Sequence, residues 1–195
     1  CEKPMALTID ECELMIQACN YYNVQLGVGF HLRQHPGVRQ LRDLVQRGLF
    51  GSIALIQSQW GYGARGLIKP RPRQLLSQWW EDPAMVGAGA WMGSGIHCLD
   101  LMRYVLGEDV VEVTAITDAS DDEPLENLIA VLLRFENNTL GMITASRRIP
   151  DSRNDLTVYG SLGRGAMNDG LFTDLQGQLE VVSETRQIKE DYGPP

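Results

Sequence analysis

A chain of 195 residues with 44% hydrophobic and 22% charged residues has the composition of an ordinary globular protein, long enough for one domain or one domain with part of another. Its net charge of −8, without any recurring basic stripe, argues against nucleic acid and anionic membrane as main partners. No run of about 18 apolar residues occurs, so no membrane span is expected.

The chain opens CEKPMALT, without a methionine and without a signal peptide, and reads as though it starts inside a longer protein. Thr8 and Glu11 fit a capping box at a helix start. Ile9, Cys12, Met15, Ile16 and Cys19 then recur at helical spacing, which predicts an apolar face with both cysteines in a core. Residues 23–33, NVQLGVGFHLR, suit a buried strand. That opening is a piece of an α/β unit without the strands it should pair with.

A second helix is predicted from about Pro36 to Gln46, with Pro36 in its first turn and Gly48 stopping it. Residues 52–63 read as a strand, and 61–86 as a long loop interrupted by QLLSQWW. Within that loop Arg71 and Arg73 make a short basic stretch, more simply solvated than functional. The segment GAGAWMGSGIHCLDLMRYVLG, residues 87–107, brackets a helix with glycines and starts it near Ser94 or Gly95. Ile96, Leu99, Met102, Val105 and Leu106 predict burial over most of its circumference.

Strand-like segments follow at 110–120, 127–135, 140–148 and 154–160, with weaker ones at 170–177 and 178–184. Glu136-Asn137-Asn138-Thr139 is a hairpin turn, and the acidic run Asp118 to Glu126 a solvated loop. The continuous apolar run in 127–135 predicts a strand covered on both faces. One helical region followed by sequential strands predicts an α+β fold: an open, mostly antiparallel sheet with helices on one face.

Among polar residues, His97 stands out. A helix starting near Ser94 puts it in the first turn, on one face with Asp100 and Tyr104. The positive end of the helix dipole favours a neutral imidazole there, and a neutral imidazole can act as a general base. The plainer alternative is a buried histidine hydrogen-bonded to Asp100. Cys1, Cys12, Cys19 and Cys98 show neither a CxxC pair nor metal-ligand spacing with the histidines, so a reduced, cytoplasmic chain without a metal is expected.

CEKPMA at the start, GVGFHLRQHP from residue 27 on, and WWEDPAMVGAGAWMGSGIHCLDLMRYVLG at 79–107 occur in an order that resembles the Gfo/Idh/MocA family of oxidoreductases, with NDLTVYGSLGRG matching a late strand and turn. The resemblance implies an N-terminal Rossmann domain holding NAD or NADP, followed by an α/β domain with a large open sheet. Residues 1–34 would then be the end of the dinucleotide-binding domain, and 35–195 the substrate and oligomerisation domain, shortened at its end. It further implies Lys3 and His97 as catalytic, Glu2, Lys3 and Pro4 as cofactor-binding, and Asp100, Arg33 and Trp80 as substrate-binding.

The family's histidine is usually preceded by an aspartate four residues earlier, and here that position is Gly93. Asp82, Glu81 or Ser94 are within plausible reach to fill in. The dinucleotide fingerprint is absent, and Gly160 to Gly165 reads as a turn rather than a phosphate loop. The implied function is hydride transfer between NAD(P) and a sugar, polyol or related hydroxy compound, by a homo-oligomer joined through its sheet face. The alternatives are a non-catalytic, sheet-mediated dimerisation module, a degenerate family member, or NAD-assisted glycoside cleavage on the same scaffold.

Overall fold

Helix α1 (Ile9–Tyr21) forms as its capping box predicts in the computed structural model, which describes residues 1–63, 75–172 and 174–193. Glu11 N donates to Thr8 Oγ1 at 3.3 Å, and Thr8 N donates back to Glu11 Oε2 at 3.1 Å. Its apolar face, however, is not part of a core. No residue of α1 is buried, Ile9 is 77% exposed, and Cys12, Met15 and Cys19 are only half-covered. The strand expected over 23–33 is also absent: 24–30 is irregular and His31–Gln34 forms a 3-10 turn. Strands are completed by a neighbour's hydrogen bonds. No described strand pairs with this segment; its backbone bonds toward the chain start, where Gly29 N donates to Cys1 O and the terminal amine donates to Gly27 O.

Helix α2 (Pro36–Gln46) has its predicted bounds. His35 caps it, its Nδ1 accepting from Gly37 N at 3.0 Å, while Nε2 lies 3.0 Å from Gln176 O. Val38, Leu41 and Leu44 are buried on one stripe. After α2 the strands are β1 (Ile53–Gly61), β2 (Val110–Thr117), β3 (Leu128–Phe135), β4 (Leu140–Ser146), β5 (Leu156–Gly160), β6 (Gly163–Asn168), β7 (Gly177–Ser183) and β8 (Gln187–Tyr192). They make one 8-stranded sheet in the order β2-β3-β4-β1-β5-β6-β7-β8. Among the described strands β1 and β4 pair in parallel, and every other pairing is antiparallel. The expected mostly antiparallel, open sheet is therefore present.

Two strands differ from the reading of the sequence. β6 carries GRGAMN, which lacks an alternating pattern because Gly165 faces α2: a Cβ there would sit 2.5 Å from Leu41 Cδ1. Gly160 to Gly165 is the β5–β6 hairpin, as a turn reading requires. β8 is an edge strand of charged residues anchored by Ile188 and Tyr192, so its apolar signal is thin. The described residues among 170–176 form no strand; Leu171 instead plugs the core from a loop.

Helix α4 (Ile96–Leu106) lies beside α2 on the same face of the sheet. Leu101, Met102 and Val105 meet Ile129, Val131, Leu133, Phe135, Ile143 and Val158 from the strands in one core. The other face is open. On β3, Leu132 is 56% exposed while its neighbours Val131 and Leu133 are buried, so the apolar run of this strand is covered on one side, not both.

Candidate active site

The chain enters α4 through a widened turn, Trp91–Gly95, in which Ile96 N donates to Trp91 O five residues back. Helical backbone begins at Ala90, and its first N–H groups are capped from a distance by Glu126. Gly89 N donates to Glu126 Oε2 at 2.8 Å, Trp91 N donates to Oε1 at 2.7 Å, and Ala90 N donates to the Glu126 carbonyl at 2.9 Å. The acidic run is thus not merely solvated. Glu126 is buried, and Asp118 Oδ1 accepts from Asn127 N and Leu128 N. Gly89 is required at this junction, because a Cβ there would lie 2.0 Å from the Glu126 carbonyl oxygen.

That entry moves His97 into the second turn of the helical run, away from the N-terminal end on which the dipole argument depended. The imidazole is neutral for a different reason. It is 4% exposed, and burial, then Lys3, then His31 push its pKa down to about 3. Its ring is boxed by Phe30 at 5.9 Å, His31 at 5.1 Å and Trp60 at 5.2 Å between centroids. Nδ1 is buried and makes no hydrogen bond, which leaves Nε2 as the nitrogen able to meet a ligand.

Lys3 reaches the same turn from the start of the chain. Its Nζ donates to Met92 O at 3.0 Å and to Gly93 O at 2.8 Å, and lies 5.7 Å from the Trp80 ring centroid. Trp80 in turn stacks on Trp79, with centroids 4.4 Å apart. Lys3, His97 and Trp80 are therefore gathered around residues 91–97. Glu2 is exposed beside this cluster and Pro4, which follows a cis peptide, is half-buried.

Asp100 does not orient His97. Its carboxylate accepts from Arg33, with Nε at 2.9 Å from Oδ2 and Nη2 at 2.5 Å from Oδ1. This bond holds the Arg33 guanidinium above its usual pKa. The guanidinium also lies 5.3 Å from the Tyr104 ring centroid, whose other neighbour is Arg42 at 4.5 Å. His97, Asp100 and Tyr104 do share a face, as the spacing predicts, but each has its own partners.

Each of the three residues suggested to replace the carboxylate missing at Gly93 has a partner elsewhere. Glu81 is bound by Arg147 at 3.0 Å, Asp82 caps the short helix α3 (Pro83–Val86), and the buried Ser94 Oγ donates to Ala90 O or Trp60 O. The space beside Gly93 holds the Tyr62 phenol instead: a Cβ at residue 93 would be 2.9 Å from Tyr62 Oη. Tyr62 and His31 are the site residues that sequence reasoning missed. Both touch the turn across tertiary contacts, and only the GFHLR match hinted at His31. Arg71 and Arg73 lie outside the described residues. Among the described residues no cluster of three His, Cys, Asp or Glu side chains is placed to hold a metal, and no helix is long and apolar enough to cross a membrane.

The family model for the GFO/IDH/MocA C-terminal domain matches residues 38–165. A myo-inositol 2-dehydrogenase of Thermotoga maritima is 31% identical over 96% of this chain and 52% of its own length. A D-xylose 1-dehydrogenase (NADP+) of Haloarcula marismortui is 26% identical over 98% of the chain and 52% of its own length. The chain thus spans about half the length of these relatives. Among solved structures, the aldose-aldose oxidoreductase of Caulobacter crescentus complexed with glycerol superposes with a TM-score of 0.84 at 24% identity, covering 100% of this chain and 56% of that one. An inositol dehydrogenase homolog of Azotobacter vinelandii complexed with NAD+ gives 0.82 at 21% identity, covering 99% and 50%.

Proposed function

This chain belongs to the Gfo/Idh/MocA family, and from that premise we propose that the full-length protein carrying it is an NAD(P)-dependent oxidoreductase acting on a sugar, polyol or related hydroxy compound. The observation that carries this reading is a buried, neutral His97 beside a lysine, at a turn whose carbonyls hold that lysine in place. The relatives supporting it include dehydrogenases of myo-inositol and D-xylose and a structure complexed with NAD+.

Whether these residues suit a nicotinamide can be judged at its reacting end. A half-buried lysine amine and a neutral imidazole on one turn match a bound alcohol losing its proton, while the glycine-rich Gly160 to Gly165 is packed into the sheet: a Cβ at Gly163 would lie 2.3 Å from Val182 O. Glu2, Lys3 and Pro4 would hold the nicotinamide end, and the phosphates would be held outside this chain. When bound, the coenzyme supplies or takes up hydride. His97 Nε2, unprotonated at neutral pH, accepts the substrate hydroxyl proton, and Lys3 stabilises charge developing on that oxygen. Trp80 offers a flat apolar surface to a sugar ring. Asp100 holds Arg33 so that its exposed edge can bind a substrate oxygen. Residues 1–34 read as the end of the dinucleotide-binding domain, and 35–195 as the substrate domain.

The test is a nicotinamide-turnover screen of the full-length protein over sugars, polyols and their keto forms. Turnover with at least one class is expected. Bound coenzyme without turnover on any of them would contradict the reading. A second role, self-association, is supported by the open sheet face, where Ile116, Leu132, Leu140 and Met142 are exposed together.

A further inference from the structure

We propose that His31 is the positioning partner of His97, accepting a hydrogen bond at its Nε2 from His97 Nδ1–H. The inference rests on the dehydrogenase reading for what the site does, and adds how its base is held in the working tautomer.

Two buried nitrogens at this site lack a hydrogen-bond partner, His97 Nδ1 and His31 Nε2, and they belong to adjacent rings with centroids 5.1 Å apart at 79°. Buried polar atoms are seldom left unpaired, so two of them side by side call for a common explanation. Their chemistry is complementary. Of the two His31 nitrogens, Nε2 is the one buried without a partner, so a neutral ring with its hydrogen on Nδ1 is the form that suits it. His31 Nε2 is left with a lone pair. His97 Nδ1 is the donor that lone pair needs, on a ring whose centroid lies 5.1 Å away.

The other neighbours described above suit this role less. Phe30 and Trp60 present aromatic rings, and Lys3 is a donor with its Nζ on the Met92 and Gly93 carbonyls. Asp100, on the same helix, is engaged by Arg33 through both oxygens. With its hydrogen fixed on Nδ1, His97 keeps the Nε2 lone pair pointed at the substrate. This is the arrangement a third group commonly enforces on a catalytic histidine.

The test uses 15N-labelled full-length protein, in which long-range 1H–15N spectra at neutral pH report which imidazole nitrogen bears hydrogen. His97 is expected as the Nδ1–H tautomer in wild type and in His31→Gln, whose amide oxygen replaces the acceptor. In His31→Phe, which keeps a ring without an acceptor, that tautomer should be lost and kcat should fall about tenfold or more, a share of what acid–base catalysis contributes. His97 as Nε2–H in wild type, or an unchanged tautomer in His31→Phe, would overturn the proposal. So would His31→Gln behaving like His31→Phe. Absence of wild-type turnover removes the dehydrogenase reading, whereas the tautomer spectra decide the His31 contact independently.

Discussion

His97 has a pKa near 3 in the folded chain against about 6.5 when unfolded, so the unfolded state binds its proton first. Above pH ~6.5 both states are neutral and the stability is complete. As pH falls below that value, the folding equilibrium should weaken by up to tenfold per unit until roughly pH 3, where the folded imidazole also protonates. His35, lowered by burial too, adds to the same slope. His97→Gln should therefore flatten the acid side of a denaturant-melt series, and a slope unchanged by it would place the proton uptake elsewhere. Gly93 carries a second prediction. Gly93→Asp should push Tyr62 Oη aside and cost activity, and Tyr62→Phe should relieve that cost in the double variant. Additive losses would contradict the contact. Lys3, His97 and Gly93 were legible because each sits in a contiguous motif. Tyr62 and His31 were not, since their relevance comes from contacts that only the folded chain brings about.

Helices whose ends are marked by local chemistry were readable from the sequence. Thr8 with Glu11, and Pro36 with Gly48, delimit α1 and α2 through neighbours in the chain. The helical run leading into α4 was placed several residues late because its cap, Glu126, is remote in sequence. Glu126→Ala should leave the Gly89 and Trp91 N–H groups buried and unpaired, at a cost of about 1–3 kcal/mol for a lost buried bond. Glu126→Gln, which keeps an acceptor, should cost less; equal melting temperatures for the two variants would show that the cap contributes nothing. β6 escaped detection for a related reason, because Gly165 is chosen for the approach of Leu41 and Phe50 and not for strand propensity. The segment 24–30 errs the other way: its valines satisfy a strand pattern, yet no strand of the described chain lies alongside.

Across the whole molecule, fold class followed from the order of elements, while the strand order did not. Nothing local tells β1 to run parallel to β4, a pairing bridged by 78 residues between Gly61 and Leu140. Burial also depends on this larger scale, since Leu132 and Val131 are equally apolar but face opposite sides of the sheet. If the open face mediates self-association, Leu132→Glu with Met142→Glu should shift the full-length protein to a smaller species in light scattering without lowering its melting temperature. An unchanged mass would assign those residues to plain solvent exposure. If the turn joining Lys3 to His97 is a catalytic centre, kcat/KM for Lys3→Ala and His97→Ala, taken beside wild type with melting temperatures confirming that both fold, will report it. Each variant should lose about a hundredfold or more, as removal of a charge-stabilising or acid–base group entails. Turnover indifferent to His97 would contradict it.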